Sequence, residues 1–274
     1  MLTLKFGGTS MGNAGRILAS AEIITERAKE DRLSVIVSAV AGVSNTLQAA
    51  IDSSVTGTTG TFVSDLKKTH SEICLELQSK CEGFDAEKVM QFIEPRFEEL
   101  EKLLAGVASF AECPDTVYCR IMGMGELLSA PIMEAVLRAK KQSVIFLDSR
   151  KFIYTTGNQK EGEADYVKTS EACIPYRDGE NKSQTRILLF PGFVCSWTKG
   201  TGSAPVMGLL GRNGSDFSAA ILARTRFSAV SISDFCVFSA SSFVFGRKRY
   251  GSSSKPRSFL RFSSINVSMV KITA

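Results

Sequence analysis

Apolar positions alternate at Leu2, Leu4 and Phe6 and stop at Gly7-Gly8, which predicts a buried strand delivered into a glycine turn. From Asn13 to Arg32 the period changes to that of a helix, with Ile17, Leu18, Ala21, Ile24 and Ala28 on one stripe. Leu33 to Ser38 is a β-branched run of the kind found in central strands. Strand, glycine turn, helix and strand in that order predict a βαβ unit and a parallel sheet. A second glycine turn, Ala41-Gly42, feeds a helix predicted from Ser44 to Ser53, and Val55 to Thr61 is a loop.

Two charged helices follow, Phe62 to Cys81 and Ala86 to Leu104, read as a hairpin on one edge of the sheet with a solvated outer face. His70 falls in the first of these and is expected at the surface. Asp115 to Lys141 is a third helical region, expected to break around Gly123-Met124-Gly125. Ser143 to Leu147 and Ile187 to Phe190 are strands. The polar stretch 154–182 is an excursion with short strands, and Trp197 to Ala204 is a hairpin turn. A further helix is expected over Ser218 to Arg224.

Composition changes this picture at one end only. The 274 residues suffice for one large or two medium domains, and 44% hydrophobic with 22% charged is ordinary for a globular protein. No run of about 18 apolar residues predicts a membrane span, and Met1 leads into a strand pattern without an export signal, so a cytoplasmic setting is expected. Seven cysteines without a CxxC pair read as free thiols, and a single histidine leaves little material for a triad or a His-rich metal site. The net charge of +5 is local: residues 225–274 hold eight basic residues and one acid, while the first 224 residues sum to −2. That near-neutral body argues against a nucleic-acid domain. The same last 50 residues contain 13 Ser and 7 Phe, a biased composition.

Candidate chemistry lies in two segments some 200 residues apart, Lys5 to Ser10 (KFGGTS) and Gly211 to Ala219 (GRNGSDFSA). Glycine turns let backbone N–H groups approach phosphate oxygens, and a helix N-terminus favours anions. Lys5 can neutralise charge on a transferring phosphoryl group, and Arg212 can hold a carboxylate bidentately. The pair of segments points to a phosphotransferase whose substrate carries a carboxylate. A Gly-Gly turn alone is equally a tight strand-to-helix connection with no ligand. Thr9 and Ser10 can cap a helix as well as bind phosphate. Ser38 can be a turn residue, and Glu126 a first-turn glutamate complementing a helix dipole.

With VSAVAGVSN (Val37–Asn45), GMGELLSA (Gly123–Ala130) and FPGFVCS (Phe190–Ser196) between them, in this order, these segments resemble the aspartokinase branch of the amino acid kinase family. The resemblance covers residues 2–224. It implies a three-layer α/β/α sandwich with an open, mainly parallel sheet, over a catalytic domain of residues 1–224. It implies transfer of the ATP γ-phosphoryl group to the side-chain carboxylate of L-aspartate, giving 4-phospho-L-aspartate on the route to lysine, threonine, methionine and diaminopimelate. Lys5 and Asp216 take the catalytic places, Asp216 organising the lysine. Ser38, Ser44, Glu126 and Arg212 take the substrate places, Glu126 facing the ammonium group. Lys5, Gly7, Gly8, Thr9, Ser10, Gly214 and Ser215 take the ATP phosphate places. Mg²⁺ is expected on ATP oxygens and water rather than in a protein cage. Ser44 stands where the family has threonine, and Asn213 where it has glycine; asparagine tolerates the left-handed turn better than most residues.

After Arg224 the family pattern ends. The expected Trp-Thr-Asp-Val type motif, the segments after it and the regulatory domains are not found, and Ser233-Asp234-Phe235 is the nearest candidate. Residues 225–274 are therefore expected to be a poorly ordered tail that leaves the sheet incomplete. We read the departure as a shift of reading frame near residue 224, with a diverged but functional end as the alternative. The functional alternatives are an inactive aspartokinase remnant and a family member with another acceptor, such as glutamate, acetylglutamate, carbamate or a nucleoside monophosphate. Partners are then L-aspartate and ATP, with a homodimer open to it and neither nucleic acid nor membrane expected.

Overall fold

The computed structural model describes residues 2–58, 60–177, 186–200, 202–226, 236–238 and 267–271. Its main sheet carries β1 (Leu2–Phe6), β2 (Leu33–Val37), β3 (Val144–Phe146) and β6 (Ile187–Pro191), all parallel, in the order β3-β6-β2-β1. The register aligns Phe6 with Val37 and Val37 with Pro191. The turns that follow β1, β2 and β6 therefore open at one end of the sheet, where ligands of open parallel sheets collect.

Alternation along the strands divides the core into two layers. Leu4, Phe6, Val35, Val37 and Leu189 face one cluster, and Ile36, Leu188 and Phe190 face the other. The first face is covered by α1 (Ala14–Glu30), α2 (Val43–Val55) and α5 (Asp115–Ala139), the second by α6 (Tyr166–Arg177) and α7 (Gly214–Arg226). The architecture is the expected α/β/α arrangement. Helices α3 (Phe62–Lys80) and α4 (Ala86–Phe110) form a further layer, packed on α1, α2 and α5 rather than set beside a sheet edge. A small second sheet of β4 (Tyr154–Asn158), β5 (Glu161–Ala164), β7 (Val194–Trp197) and β8 (Val206–Leu209), in the order β5-β4-β7-β8, packs on α5. Among the described residues no helix is long and apolar enough to cross a membrane.

Several expectations are corrected. Helix α5 is unbroken through Gly123 and Gly125. Glycine costs about 1 kcal/mol in a helix relative to alanine, yet here it is demanded by packing. A Cβ on Gly125 would stand 2.7 Å from the Ala39 Cβ, and one on Gly123 would stand 2.8 Å from Val194 Cγ1. Glu126 accordingly sits mid-helix, not in a first turn. His70 is fully buried: with Leu66, Ile73, Cys74 and Leu77 it lies on the apolar stripe of α3. Its ring meets Phe97 edge-on, and its Nδ1 lies 2.7 Å from the Leu66 carbonyl. Helix α1 is capped by Asn13, whose Oδ1 accepts from the Arg16 N–H, and not by Thr9 or Ser10, which belong to a 3-10 turn over Gly8–Met11. The excursion 154–182 contains α6 besides its strands, and α7 starts at Gly214, four residues before Ser218.

The expectation of a poorly ordered tail beyond Arg224 falls mostly outside the described residues. Within them, β10 (Val267–Lys271) pairs antiparallel with β1, and β9 (Cys236–Phe238) with β10, so the outer edge of β1 is paired and not open.

Candidate active site

At the carboxyl ends of β1, β2 and β6 lies a cavity of about 820 Å³, bounded by the N-termini of α2 and α7, the middle of α5 and the β4–β5 hairpin. The register sets its first charge. Lys5 pairs with Ile36 and so faces the α7 side, where its Nζ donates to Asp216 Oδ2 at 3.1 Å across 211 residues of sequence. Asp216 sits in the first turn of α7, where a carboxylate complements the helix dipole. Before it, the chain turns through Gly211 and Asn213, both left-handed, with φ of 70° and 60°. The asparagine thus takes up the conformation expected of it.

The second charge is Glu126, 4% exposed. Gly125 lets α5 approach the end of β2 closely, which brings this carboxylate beneath Ser38. Ser38 Oγ donates to Glu126 Oε1 at 3.4 Å, Ser215 Oγ lies 3.5 Å from the same oxygen, and Oε2 has no hydrogen-bond partner among the described residues. Burial pushes the Glu126 carboxyl up to about 7, against hydrogen bonds from the backbone N–H groups of Ala39 and Glu126 and from Ser38 and Ser215 that pull it down. A buried carboxylate oxygen without a partner is costly unless a cation or a donor meets it.

Of the residues singled out in the sequence, Lys5, Ser38, Ser44, Glu126, Arg212, Gly214, Ser215 and Asp216 all line this one cavity. Gly7, Gly8, Thr9 and Ser10 do not line it. Their turn lies beside it, with Gly7 packed near Lys5 Nζ and Ser10 fully buried. Arg212 and Ser44 are exposed on the wall. Sequence reading missed Gln48, Tyr118 and Lys160, which complete the far rim: Tyr118 Oη donates to Gln48 Oε1 at 2.9 Å, and Lys160 lies over the Tyr118 ring and pairs with Asp115 at 2.8 Å. No motif joins these residues. Only the seating of α2 and of the hairpin on α5 does, so the sequence carries no signal for them.

Among the described residues no three His, Cys, Asp or Glu side chains converge as a metal cage. At the start of α7 the Gly214 N–H donates to the Gly211 carbonyl at 3.0 Å and the Asp216 N–H to the Asn213 carbonyl at 2.9 Å; the helix N-terminus beside Lys5 still favours an anion such as a phosphate chain through its dipole.

The amino acid kinase family profile matches residues 1–229. Over 227 residues the chain is 30% identical to the bifunctional aspartokinase/homoserine dehydrogenase of Buchnera aphidicola, covering 81% of this chain and 26% of that protein. Over 222 residues it is 31% identical to the aspartokinase of Chlamydia muridarum, covering 81% and 44%. In fold it is similar to Escherichia coli aspartokinase III in complex with aspartate and ADP, with a TM-score of 0.68 at 24% identity over 81% of this chain and 46% of that one. The chain thus spans between a quarter and a half of the length of these relatives.

Proposed function

The chain belongs to the amino acid kinase family, and from that premise we propose that its cavity binds L-aspartate and serves transfer of a phosphoryl group from ATP to the side-chain carboxylate. The observation that carries the reading is Glu126: a buried carboxylate with one oxygen unpartnered, in the same cavity as an exposed arginine and a lysine–aspartate pair. A substrate with one ammonium and two carboxylates matches that set. Glu126 Oε2 accepts from the ammonium, Arg212 holds a carboxylate through two parallel N–H donors, and Ser44 adds a hydroxyl donor. The attacking carboxylate is ionised at neutral pH and needs no general base. Asp216 holds Lys5 in place, and Lys5 balances charge on the oxygens in transit.

Magnesium ATP supplies the transferable group when bound. The donor set fits a magnesium ion carried on phosphate oxygens and water, with the phosphates against Lys5 and the N-terminus of α7 and extending toward the Gly7–Ser10 turn beside the cavity. A cytoplasmic reaction at the head of lysine, threonine, methionine and diaminopimelate synthesis is part of the same proposal, as is a division into a catalytic domain, 1–224, and a tail, 225–274. A second reading, a chain that binds aspartate without turning it over, is favoured by the Ser-rich composition after Arg224, which lacks the motifs expected on the nucleotide side.

Calorimetric titration of the 274-residue chain with L-aspartate, glutamate and N-acetylglutamate, beside aspartate-dependent ADP formation with Mg²⁺, tests both. Saturable binding that prefers L-aspartate, weakened roughly ten- to a hundredfold in Arg212→Ala, supports the site. Binding without ADP formation selects the second reading. No binding, or binding unchanged in the variant, refutes the assignment.

A further inference from the structure

Ser215 is the second residue of α7 and only 6% exposed. Its hydroxyl stands 3.3 Å from Ser38 Oγ and 3.5 Å from Glu126 Oε1. Ser38 is itself fixed by Ser129, whose Oγ donates to the Ser38 carbonyl at 2.7 Å. The end of β2, the middle of α5 and the start of α7 are thereby tied together at a single carboxylate oxygen. Gly192, in the bend between β6 and β7, makes the room: a Cβ there would lie 2.6 Å from Ser215 Oγ and 2.7 Å from its Cβ. Any other residue at 192 displaces the hydroxyl.

We propose that Ser215, seated by Gly192, is a positioning residue whose hydroxyl holds Glu126 Oε1 and so leaves Oε2 presented to the cavity as an ionised acceptor for an ammonium group. The inference rests on the reading of the cavity as an amino-acid site. The charged groups that share the cavity wall with Glu126 are Lys5 on β1, Arg212 just before α7, Asp216 in its first turn, and Lys160 and Glu161 on the hairpin, with titratable Tyr118 on α5. From β2 and α2 come only uncharged Ser38, Ser44 and Gln48. The Ser38 hydroxyl donates to Oε1, the single Ser215 proton is shared between Oε1 and Ser38 Oγ, and the backbone at Ala39 and Glu126 also favours the charged form. Donors to the charged form favour ionisation, so removing one shifts Glu126 toward its protonated state.

The test has a ligand-free arm and a ligand arm, both on the whole chain. Glutamate labelled at the side-chain carboxyl carbon is titrated by NMR in the wild type, Ser215→Ala and Gly192→Ala, with Glu126→Gln identifying the resonance. Both of the first two variants are expected to titrate at higher pH than the wild type. L-aspartate affinity is expected to fall roughly five- to tenfold at pH 6.5 and to come within about twofold of the wild type at pH 9. Should Gly192→Ala not fold, Ser215→Ala alone decides. An unmoved Glu126 titration with affinity lowered equally at every pH would overturn the proposal, since that is what loss of packing alone produces. If the wild type binds no L-aspartate, the reading of the cavity fails, and the ligand-free titration still decides what Ser215 does.

Discussion

Replacing Glu126 by glutamine separates what the buried carboxylate does for binding from what it costs the fold. In the unfolded chain a glutamate releases its proton near 4.5, whereas burial holds Glu126 up to about 7. Between these values the native state keeps a proton that the unfolded state has lost. Native stability therefore falls as pH rises from 4.5 to 7 and levels off above that. At about 1.4 kcal/mol per pH unit, the full window is worth about 3 kcal/mol. Glutamine is neutral throughout and does not incur this term. Its carbonyl can keep the donors now on Oε1. Its amide takes the unpartnered place of Oε2, at a pH-independent cost of about 1–3 kcal/mol.

The expectation is therefore about a difference that changes with pH, not about its sign at one pH. Urea unfolding of wild type and Glu126→Gln from pH 4.5 to 8.5 is expected to show the variant gaining about 3 kcal/mol relative to the wild type, or about 6–12 °C in a thermal melt of a domain this size. Other titrating groups, His70 included, are common to both proteins and cancel in the comparison. The same variant is expected to lose L-aspartate binding at pH 8, where the wild-type carboxylate is ionised. Parallel stability curves across the range would refute the burial argument, because they would mean that Glu126 titrates alike in both states.

In a chain that turns over, Lys5→Met is expected to lower kcat by roughly a hundredfold or more with L-aspartate affinity within about twofold, as steady-state kinetics and calorimetry would read; near-normal kcat would make the lysine a strand-end residue only. Its pair with Asp216 is part-exposed (13% and 37%), so melting should place the change in stability within about 1 kcal/mol. His70 is held neutral by burial, its pKa lowered from 6.5, so its contribution is present above that value and is lost as pH falls below it; His70→Leu should flatten the acid limb of a stability-against-pH curve by at most about 1.4 kcal/mol per pH unit, and an unchanged limb would contradict its burial. Gly125→Ala gains about 1 kcal/mol of helix propensity but drives a Cβ against Ala39 at 2.7 Å; since overpacking costs about 1–3 kcal/mol, a net loss is expected in urea unfolding, and a more stable variant would show that α5 has room to shift.

What could be read from the chain was what local pattern controls. The opening strand, helix and strand, and the charged helices α3 and α4, carry periodicities that tertiary packing only reinforces. Where packing overrides a local preference, the reading failed. Two glycines in α5 look like a break until Ala39 and Val194 are seen against them. His70 looks like a surface residue by type, although its spacing from Leu66, Ile73 and Leu77 puts it on the buried stripe of its helix. The candidate site divides in the same way. Lys5, Glu126, Arg212 and Asp216 could be singled out because each sits in a motif. The serine ties could not: Ser38 meets Glu126 across 88 residues and Ser215 across 177, and only the folded chain brings them within reach.

The alternation that builds the core also aims the chemistry. Leu2, Leu4 and Phe6 are buried in the layer under α1, α2 and α5, and this fixes the face on which Lys5 emerges. A slip of one residue in β1 against β2 would turn every side chain of the strand over, sending Lys5 into the helical core and apolar residues toward α7. Burying a lysine there without a partner costs several kcal/mol, so the register that satisfies the hydrophobic residues is also the one that delivers the ammonium group to Asp216. The same holds at the ends of β2 and β6, where the alignment of Val37 with Pro191 sets Ser38 and Gly192 side by side and leaves the gap that Ser215 fills. Position in this site is thus specified by core residues that never touch the cavity, and changes among them are expected to reach the site through register and close approach before they reach it through charge.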